Sequence, residues 1–173
     1  MTSWYLSGID HQPFQSLFDE DDRTLARRGI VRRRADGAAS YPCRISLTDA
    51  PRGAELLLLT YTHLDRDSPY RASGPVFVQR QVTRCVLPPR VVPPYVQRRM
   101  ISVRAYDRAA FMLSGQLCAG TDAGVQLDRL FADPAVAFVQ LHYAGHGCFS
   151  CQAERVAPAP AEAANVIVAA LHP

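Results

Sequence analysis

The sequence predicts a single α+β domain with a curved, mainly antiparallel sheet of about six or more strands and a few short helices. Several segments alternate apolar and polar residues, the period of a half-buried β-strand, and they follow one another along the chain. Apolar residues at helical spacing occur only in short segments. Because 173 residues, 48% of them hydrophobic, can bury one core, we expect one domain at residues 1–156 and an Ala/Pro-rich tail at residues 157–173.

Three short helices are expected. Phe14, Leu17 and Phe18 are spaced to share one face of the first. The second is predicted to begin at an Asp19 N-cap and to end before Gly29. The third and clearest one starts at Thr121 or Asp122, and its apolar face consists of Val125, Leu127, Leu130 and Phe131.

The predicted strands are separated by turns and loops rich in Gly, Pro, Asp and Ser. They span residues 4–9, 30–35, 43–48, 55–63, 76–82, 100–107 and 111–118, followed by a final hairpin within residues 136–156. The turn at residues 50–53 should join strands 43–48 and 55–63 into an antiparallel hairpin. Between strands, residues 84–99 contain four prolines and predict a surface loop without regular structure over most of its length.

Composition excludes several functional classes. All 19 basic residues are arginine, so mechanisms that need a Schiff-base or P-loop lysine are excluded. The net charge of +3 is spread along the chain without a basic helix or finger, so nucleic acid is not an expected partner. HExxH, GxSxG and dinucleotide-binding motifs are absent, and no cofactor is indicated.

The chain shows no targeting or membrane signal. Its first residues lack a basic segment followed by an apolar one, and no run of about 18 apolar residues exists. The five cysteines, an odd number, argue against a disulfide framework. We therefore predict a cytoplasmic protein with reduced thiols and no membrane partner; the sequence does not indicate an oligomeric state.

Residues 136–156 carry the densest chemistry, with His142, His146, Cys148 and Cys151 within ten residues. Four such donors are a conceivable zinc site. However, Gly145 and Gly147 indicate a hairpin turn, and a turn there would divide the donors between the two faces of the hairpin. The zinc site is therefore an alternative, and no metal ligand is assigned.

Several segments together resemble the DUF1203 family of bacterial proteins. They are YPCRISLTDAPRGAELLLLTYTH (41–63), DSPYRASGPVFV (67–78), ISVRAYD (101–107) and GCFSCQAERV (147–156), with PFQSLF and RTLARRGI nearer the N-terminus. The resemblance extends over roughly residues 5–156 and implies a single-domain protein, without implying a mechanism.

The polar residues in these family-like segments suggest a pocket on one side of the sheet that binds a small anionic ligand. Arg44, Tyr70 and Arg104 are the candidate ligand-binding residues, because guanidinium groups bind anions through paired hydrogen bonds. Cys148 and His63 are the candidate catalytic residues, as nucleophile and thiolate-stabilising neighbour. Two alternatives stay open: a protein-interaction module that uses the proline-rich loop 86–95, and the zinc protein.

Overall fold

The computed structural model describes residues 3–37 and 40–156, and its strands form two five-stranded sheets. Sheet A contains, in spatial order, β1 (Trp4–Ser7), β10 (Phe149–Arg155), β9 (Phe138–Tyr143), β7 (Met100–Tyr106) and β8 (Met112–Ala119). Sheet B contains β2 (Val31–Arg34), β5 (Glu55–Leu64), β6 (Ala72–Gln79), β3 (Pro42–Cys43) and β4 (Thr48–Asp49). The only parallel pair among these strands is β3 with β6. The predicted α+β class is confirmed, with the strands in two sheets where one curved sheet was expected.

Four short α-helices accompany the sheets. They are α1 (Gln12–Gln15), α2 (Asp22–Arg27), α3 (Pro94–Gln97) and α4 (Ala123–Ala132), and 3₁₀ helices lie at Ser16–Asp19 and Gly120–Asp122. The N-cap predicted for the second helix was wrong by one half-turn: Asp21, not Asp19, accepts the backbone N–H of Thr24 at 2.9 Å. Asp19 instead pairs with Arg80. Gly29 follows the helix with φ +69°, as a C-terminal glycine should.

One face of sheet A is apolar and packs on α4 and on the proline-rich segment. Its core includes Trp4, Ile101 and Leu141, which meet Leu127 of α4. Arg155 ties the end of α4 to β10, since its guanidinium donates to the backbone carbonyls of Phe131, Val136 and Asp133 at 3.0, 3.0 and 2.6 Å. Burial of the apolar face therefore fixes β9 and β10 against the helix.

A second core forms where one face of sheet B meets α1, α2 and the adjoining 3₁₀ helix. Phe14, Leu17 and Phe18 are buried there, as their spacing predicts, beside Leu57 and Val78. Strand β2, with its three arginines, lies at the edge of this sheet. Charged residues are typical of an exposed edge strand.

The predicted strand at residues 43–48 is wrong, and so is its hairpin with β5. Only its two ends join sheet B, with Cys43 in β3 opposite Phe77 and Thr48 in β4 opposite Cys43, while β5 pairs with β2 and β6. Residues 44–47 form a turn in which Leu47 has φ +54°. The alternation of Cys43, Ile45 and Leu47 marked burial correctly, since all three are at most 1% exposed. The turn is buried because it lies against the segments that contain Ile9 and Cys85, whose backbone N–H groups donate to it. An alternating apolar pattern can therefore mark a buried turn as well as a strand.

The proline-rich segment covers the outer edge of β1. The backbone N–H groups of Leu87 and Arg90 donate to the carbonyls of Leu6 and Trp4, both at 2.9 Å. Regular structure is limited to α3, which begins at Pro94. Within the described part of the chain, no helix is long and apolar enough to cross a membrane. The predicted tail at residues 157–173 lies outside the described residues.

Candidate functional site

The second face of sheet A is lined by polar side chains, which is unusual for a covered sheet face. Because residues paired across strands share a face, Ser7, Gln152, Gln140 and Arg104 form a row across β1, β10, β9 and β7. His142, two residues after Gln140 in β9, lies on the same face. We call this surface, with His63 of β5 above it, the polar face.

Gln140 is the centre of a hydrogen-bond network on the polar face and is fully buried. Its amide Nε2 donates to the backbone carbonyl of His63 at 2.7 Å and to Oε1 of Gln152 at 3.3 Å. Its oxygen Oε1 is therefore the acceptor that faces Nδ1 of His63 at 3.0 Å. These bonds connect the two sheets through one side chain.

The network determines the protonation of His63. Because Gln140 Oε1 can only accept, Nδ1 of His63 carries the proton and Nε2 is left as an acceptor in the neutral ring. Burial lowers the pKa of His63, and the positive charge of Arg104 lowers it further. The ring stacks on Phe149 with centroids 5.1 Å apart. His63 is thus a fixed, neutral imidazole with one basic nitrogen available.

His142 is still more perturbed. It is 1% exposed, and burial together with the charge of Arg104 lowers its pKa from 6.5 to about 3. Its two ring nitrogens face two oxygen acceptors: Nδ1 is 3.1 Å from the carbonyl of Gly147, and Nε2 is 3.3 Å from Oε1 of Gln140. A neutral ring has one N–H, so it can donate to only one of these acceptors.

Two guanidinium groups lie on either side of this network. Arg84 is held by hydrogen bonds from Nε to the carbonyl of Gly8 (2.8 Å) and from Nη2 to the hydroxyl of Ser7 (2.9 Å). Arg104 donates to the hydroxyl of Ser102 at 3.2 Å. Within the described residues neither guanidinium forms an ion pair with a carboxylate. Neither group is therefore held in a direct ion pair, although the carboxylate of Asp10 lies in the same groove as Arg84.

A groove of about 210 Å³ opens at the Arg84 end of the polar face. Its polar lining residues are Ser7, Asp10, Tyr61, His63, Arg84 and Gln152. Burial raises the pKa of the Tyr61 hydroxyl, the charge of Arg84 opposes that rise, and the carboxylates of Asp10 and Asp65 add to it. A groove of about 240 Å³ exists elsewhere, but its arginine, Arg80, already pairs with Asp19 and Glu55. The groove beside His63 is thus the better placed for an anion.

The five residues predicted from sequence fall into two groups. His63 and Arg104 are neighbours on the polar face, and Tyr70 lies at its far end, with its ring 6.4 Å from that of Tyr106. Arg44 and Cys148 belong to the other group, beside Tyr143.

Arg44 and Cys148 have the surroundings of structural residues. Arg44 is 2% exposed and donates from Nε to the carbonyl of Phe149 at 2.8 Å and from Nη1 to the carbonyl of Pro42. Its guanidinium lies 5.1 Å from the Tyr143 ring centroid. Cys148 packs against the apolar core, and its Sγ is 3.8 Å from the carbonyl of His146. These two residues therefore do not line the groove beside His63.

The zinc alternative does not form. In the part of the chain that the structure describes, no group of three or more His, Cys, Asp or Glu side chains could hold a metal ion. The hairpin explains this result, because His142 is opposite Phe149 on the polar face while Cys151, opposite Leu141, belongs to the apolar core. The strand register therefore places the donors on two different faces of the hairpin, as the sequence predicts.

A family model described as "Protein of unknown function (DUF1203)" matches residues 40–155 of the chain. The chain belongs to the DUF1203 family. The DUF1203 match contains His63, Arg84, Arg104 and Gln140, so most of the polar face lies inside it, whereas Ser7 of β1 lies outside. No curated protein and no solved structure matches the chain.

Sequence reasoning missed four residues of this DUF1203 site: Arg84, Gln140, His142 as a network member, and Gln152. A signal existed for two of them, because the strand sequence FVQLHY places Gln140 and His142 on one face of an otherwise apolar strand. Arg84 follows β6 in an irregular segment, where the sequence carries no such periodic signal.

Proposed function

We propose that the protein binds a small anionic metabolite on the polar face of sheet A, in the groove beside His63. The observation that supports this most is Arg84, whose guanidinium lines the groove together with the neutral imidazole of His63 and forms no ion pair among the described residues. Arg104 is not a lining residue of the groove, but its positive charge acts on His63 from the β7 side. Unpaired guanidinium groups in a concave, partly buried site attract carboxylates and phosphates strongly, because little water competes. The groove volume of about 210 Å³ suits a ligand of few atoms.

Each side chain has a distinct role in the proposed complex. Arg84 donates its remaining N–H groups to the anion, and the hydrogen bonds to Gly8 and Ser7 keep its guanidinium in place. Nε2 of His63 accepts a hydrogen bond from a hydroxyl or amine of the ligand while the ring is neutral, and it donates to the anion where the ring has taken up a proton. If the protein is an enzyme, the same nitrogen is the general base, since its proton is held on Nδ1 by Gln140.

The other predicted roles have less support. Tyr70 contacts the ring of Tyr106, whose hydroxyl in turn interacts with Arg104. Its role as a ligand contact stays a prediction. A nucleophilic role of Cys148 also stays a prediction, and it is not part of this proposal because Cys148 packs beside Tyr143. The proline-rich loop 86–95 already covers the edge of β1, which accounts for it without a partner protein.

We also propose that the protein functions in the bacterial cytoplasm. All five cysteines, each within the described residues, are free thiols, as is typical of a reducing compartment. Detection of the protein in the soluble cytoplasmic fraction of its bacterial host tests this location, and recovery from the periplasm would contradict it.

Titration calorimetry with inorganic phosphate, acetate and succinate tests the binding function. Replacing Arg84 by Gln should weaken binding roughly 10- to 100-fold, because a hydrogen bond to a charged group contributes about 1.5–3 kcal/mol. Arg104→Gln removes only a positive charge outside the groove lining and should weaken binding less. Arg129→Gln, an exposed arginine on α4, is the matched control and should bind like the wild type. Binding unchanged in both site variants, or no binding of any small anion to the wild type, would overturn the proposal.

Proton linkage gives a second, independent signature. Arg104 lowers the pKa of His63, so an anion that neutralises Arg104 should raise that pKa. Binding near pH 6 should then take up protons, which calorimetry detects as an enthalpy that depends on the buffer's ionisation enthalpy. Binding without proton uptake would place the anion away from Arg104.

A further inference from the structure

The two sheets have four edge strands, and three of them are protected from pairing with another chain. β2 consists of four residues, three of which are arginine, and β4 has only two residues. β1 has four residues, and the proline-rich segment bonds to its outer side through Leu87 and Arg90. Charge, shortness and a covering loop are the usual means by which proteins prevent edge-to-edge association.

The fourth edge, β8, has none of these protections. Its eight residues, MLSGQLCA (Met112–Ala119), include no charged residue and no proline. Within the residues that the structure describes, β8 bonds only to β7, so every second N–H and C=O along it points outward without a strand partner. Its single bulge lies at the first residues, and Ser114–Ala119 continue in regular register.

Exposed apolar side chains gather at the same edge. Leu117 is 69% exposed, Met100 on the neighbouring strand 56%, Phe111 47% and Leu113 46%. Scattered exposed apolar residues are ordinary, but a group of four beside an open edge strand indicates a surface that is covered in solution.

The sequence of β8 is complementary to itself. In an antiparallel pair with a two-fold axis at Gly115, Leu113 of each chain lies opposite Leu117 of the other, and Ser114 lies opposite Gln116. Gly115 and Leu117 share one face of the strand, and the register over Ser114–Ala119 is regular. Leu113 is the extra residue of the bulge, so Leu117 of one chain meets the bulge of the other. In this arrangement apolar side chains face apolar ones and polar side chains face polar ones, and no charged residues lie opposite each other.

We propose that β8 is a dimerisation edge, where two copies of this chain pair antiparallel about Gly115 and join their A sheets into one ten-stranded sheet. The occupant is a second copy because a two-fold axis satisfies the outward backbone groups of both chains at once. This inference is independent of the ligand proposal, since it depends only on the edge and its side chains.

Light scattering coupled to size-exclusion chromatography of the full chain tests the proposal. The wild type should show twice the monomer mass, and Leu117→Lys should show the monomer mass, because two charges would be brought into the interface. Leu117 is mostly exposed in the monomer, so this change should leave folding intact, which circular dichroism verifies. Val125→Lys, at a comparably exposed apolar position on α4, is the control and should remain dimeric.

Cross-linking tests the register. Gly115→Cys places two thiols opposite each other at the axis, so air oxidation should give a disulfide-linked dimer on a non-reducing gel. The added Cβ meets only Met112 Sδ, at 3.7 Å, an ordinary contact. Gln116→Cys lies opposite Ser114 and should cross-link much less. A monomeric wild type overturns the proposal, and this includes a monomer whose β8 amides are protected from hydrogen exchange by its own residues 157–173. A dimer whose mass is unaffected by Leu117→Lys also overturns it.

Discussion

Acid destabilisation between pH 7 and pH 5 should be dominated by His142. Its pKa is about 3 in the folded protein and near 6.5 when unfolded, because burial and the charge of Arg104 disfavour the imidazolium. A lowered histidine pKa means that the unfolded chain binds more protons below pH 6.5. Stability therefore falls as pH drops from about 6.5 towards about 3.

The size of this loss follows from the two pKa values. At pH 5, 1.5 units below the unfolded value, the unfolded imidazole is almost fully protonated and the folded one is neutral. At about 1.36 kcal/mol per unit, the loss is about 2 kcal/mol, or roughly 4–8 °C in Tm for a chain of this size. The lowered pKa of His63 acts in the same direction. Carboxylates with lowered pKa, such as Asp49 and Glu55, lose their stabilisation only below their unfolded values of 3.8 and 4.5.

Urea denaturation at pH 7 and pH 5 measures the effect. Wild type should lose about 2 kcal/mol or more from His142 and His63 together, and His142→Gln should lose about 2 kcal/mol less than wild type over the same interval, since Gln does not titrate. His146→Gln, in the exposed turn of the same hairpin, is the control and should follow the wild type. Equal losses for wild type and His142→Gln would refute the reasoning.

Two further substitutions test packing and the network. Gly8→Ala should destabilise by at least about 1–3 kcal/mol, because a Cβ would lie 2.1 Å from the carbonyl oxygen of Ile45, whereas Gly145→Ala, with nothing within 4 Å, should be nearly neutral in thermal denaturation. Gln140→Leu should cost roughly 2–4 kcal/mol, because it leaves the Nδ1 proton and the carbonyl of the facing histidine without partners. Gln15→Leu, at the exposed end of α1, is its control, and equal unfolding free energies of the two glutamine variants would contradict the proposed network.

The alternation of apolar and polar residues predicted the fold correctly where strands that are neighbours in the sequence also pair in the sheet. β7 and β8 alternate cleanly and pair through a short turn, so both strands and their pairing were predictable. The segment from Cys43 to Leu47 alternates equally well, yet it forms a buried turn because contacts with Ile9 and Cys85, distant in sequence, take its backbone hydrogen bonds. Such competition between local pattern and distant partners is not visible in a single sequence.

The candidate site was predictable only in part, for a related reason. His63 and Arg104 were found from their segments, but their proximity depends on how sheet B lies over sheet A. Arg44 was expected in the ligand site because it lies in a family-like segment and carries a guanidinium group; the turn at residues 44–47 buries it against Phe149 and Tyr143. Membership of a family-like segment therefore does not distinguish a buried structural arginine from one that lines a groove.

The polar face buries hydrogen-bonding groups that an apolar face would not have to pair, which supports a functional role for it. The opposite face of the same strands shows that sheet A can present a continuous apolar surface to a covering layer. On the polar face, Gln140 and His142 are buried, and one of the two oxygens around His142 receives no proton from it. Well-packed apolar residues at such positions are often equally or more stabilising. Packing alone does not require a buried neutral histidine beside a guanidinium without an ion pair among the described residues, and the proposed anion site is therefore placed at this arrangement.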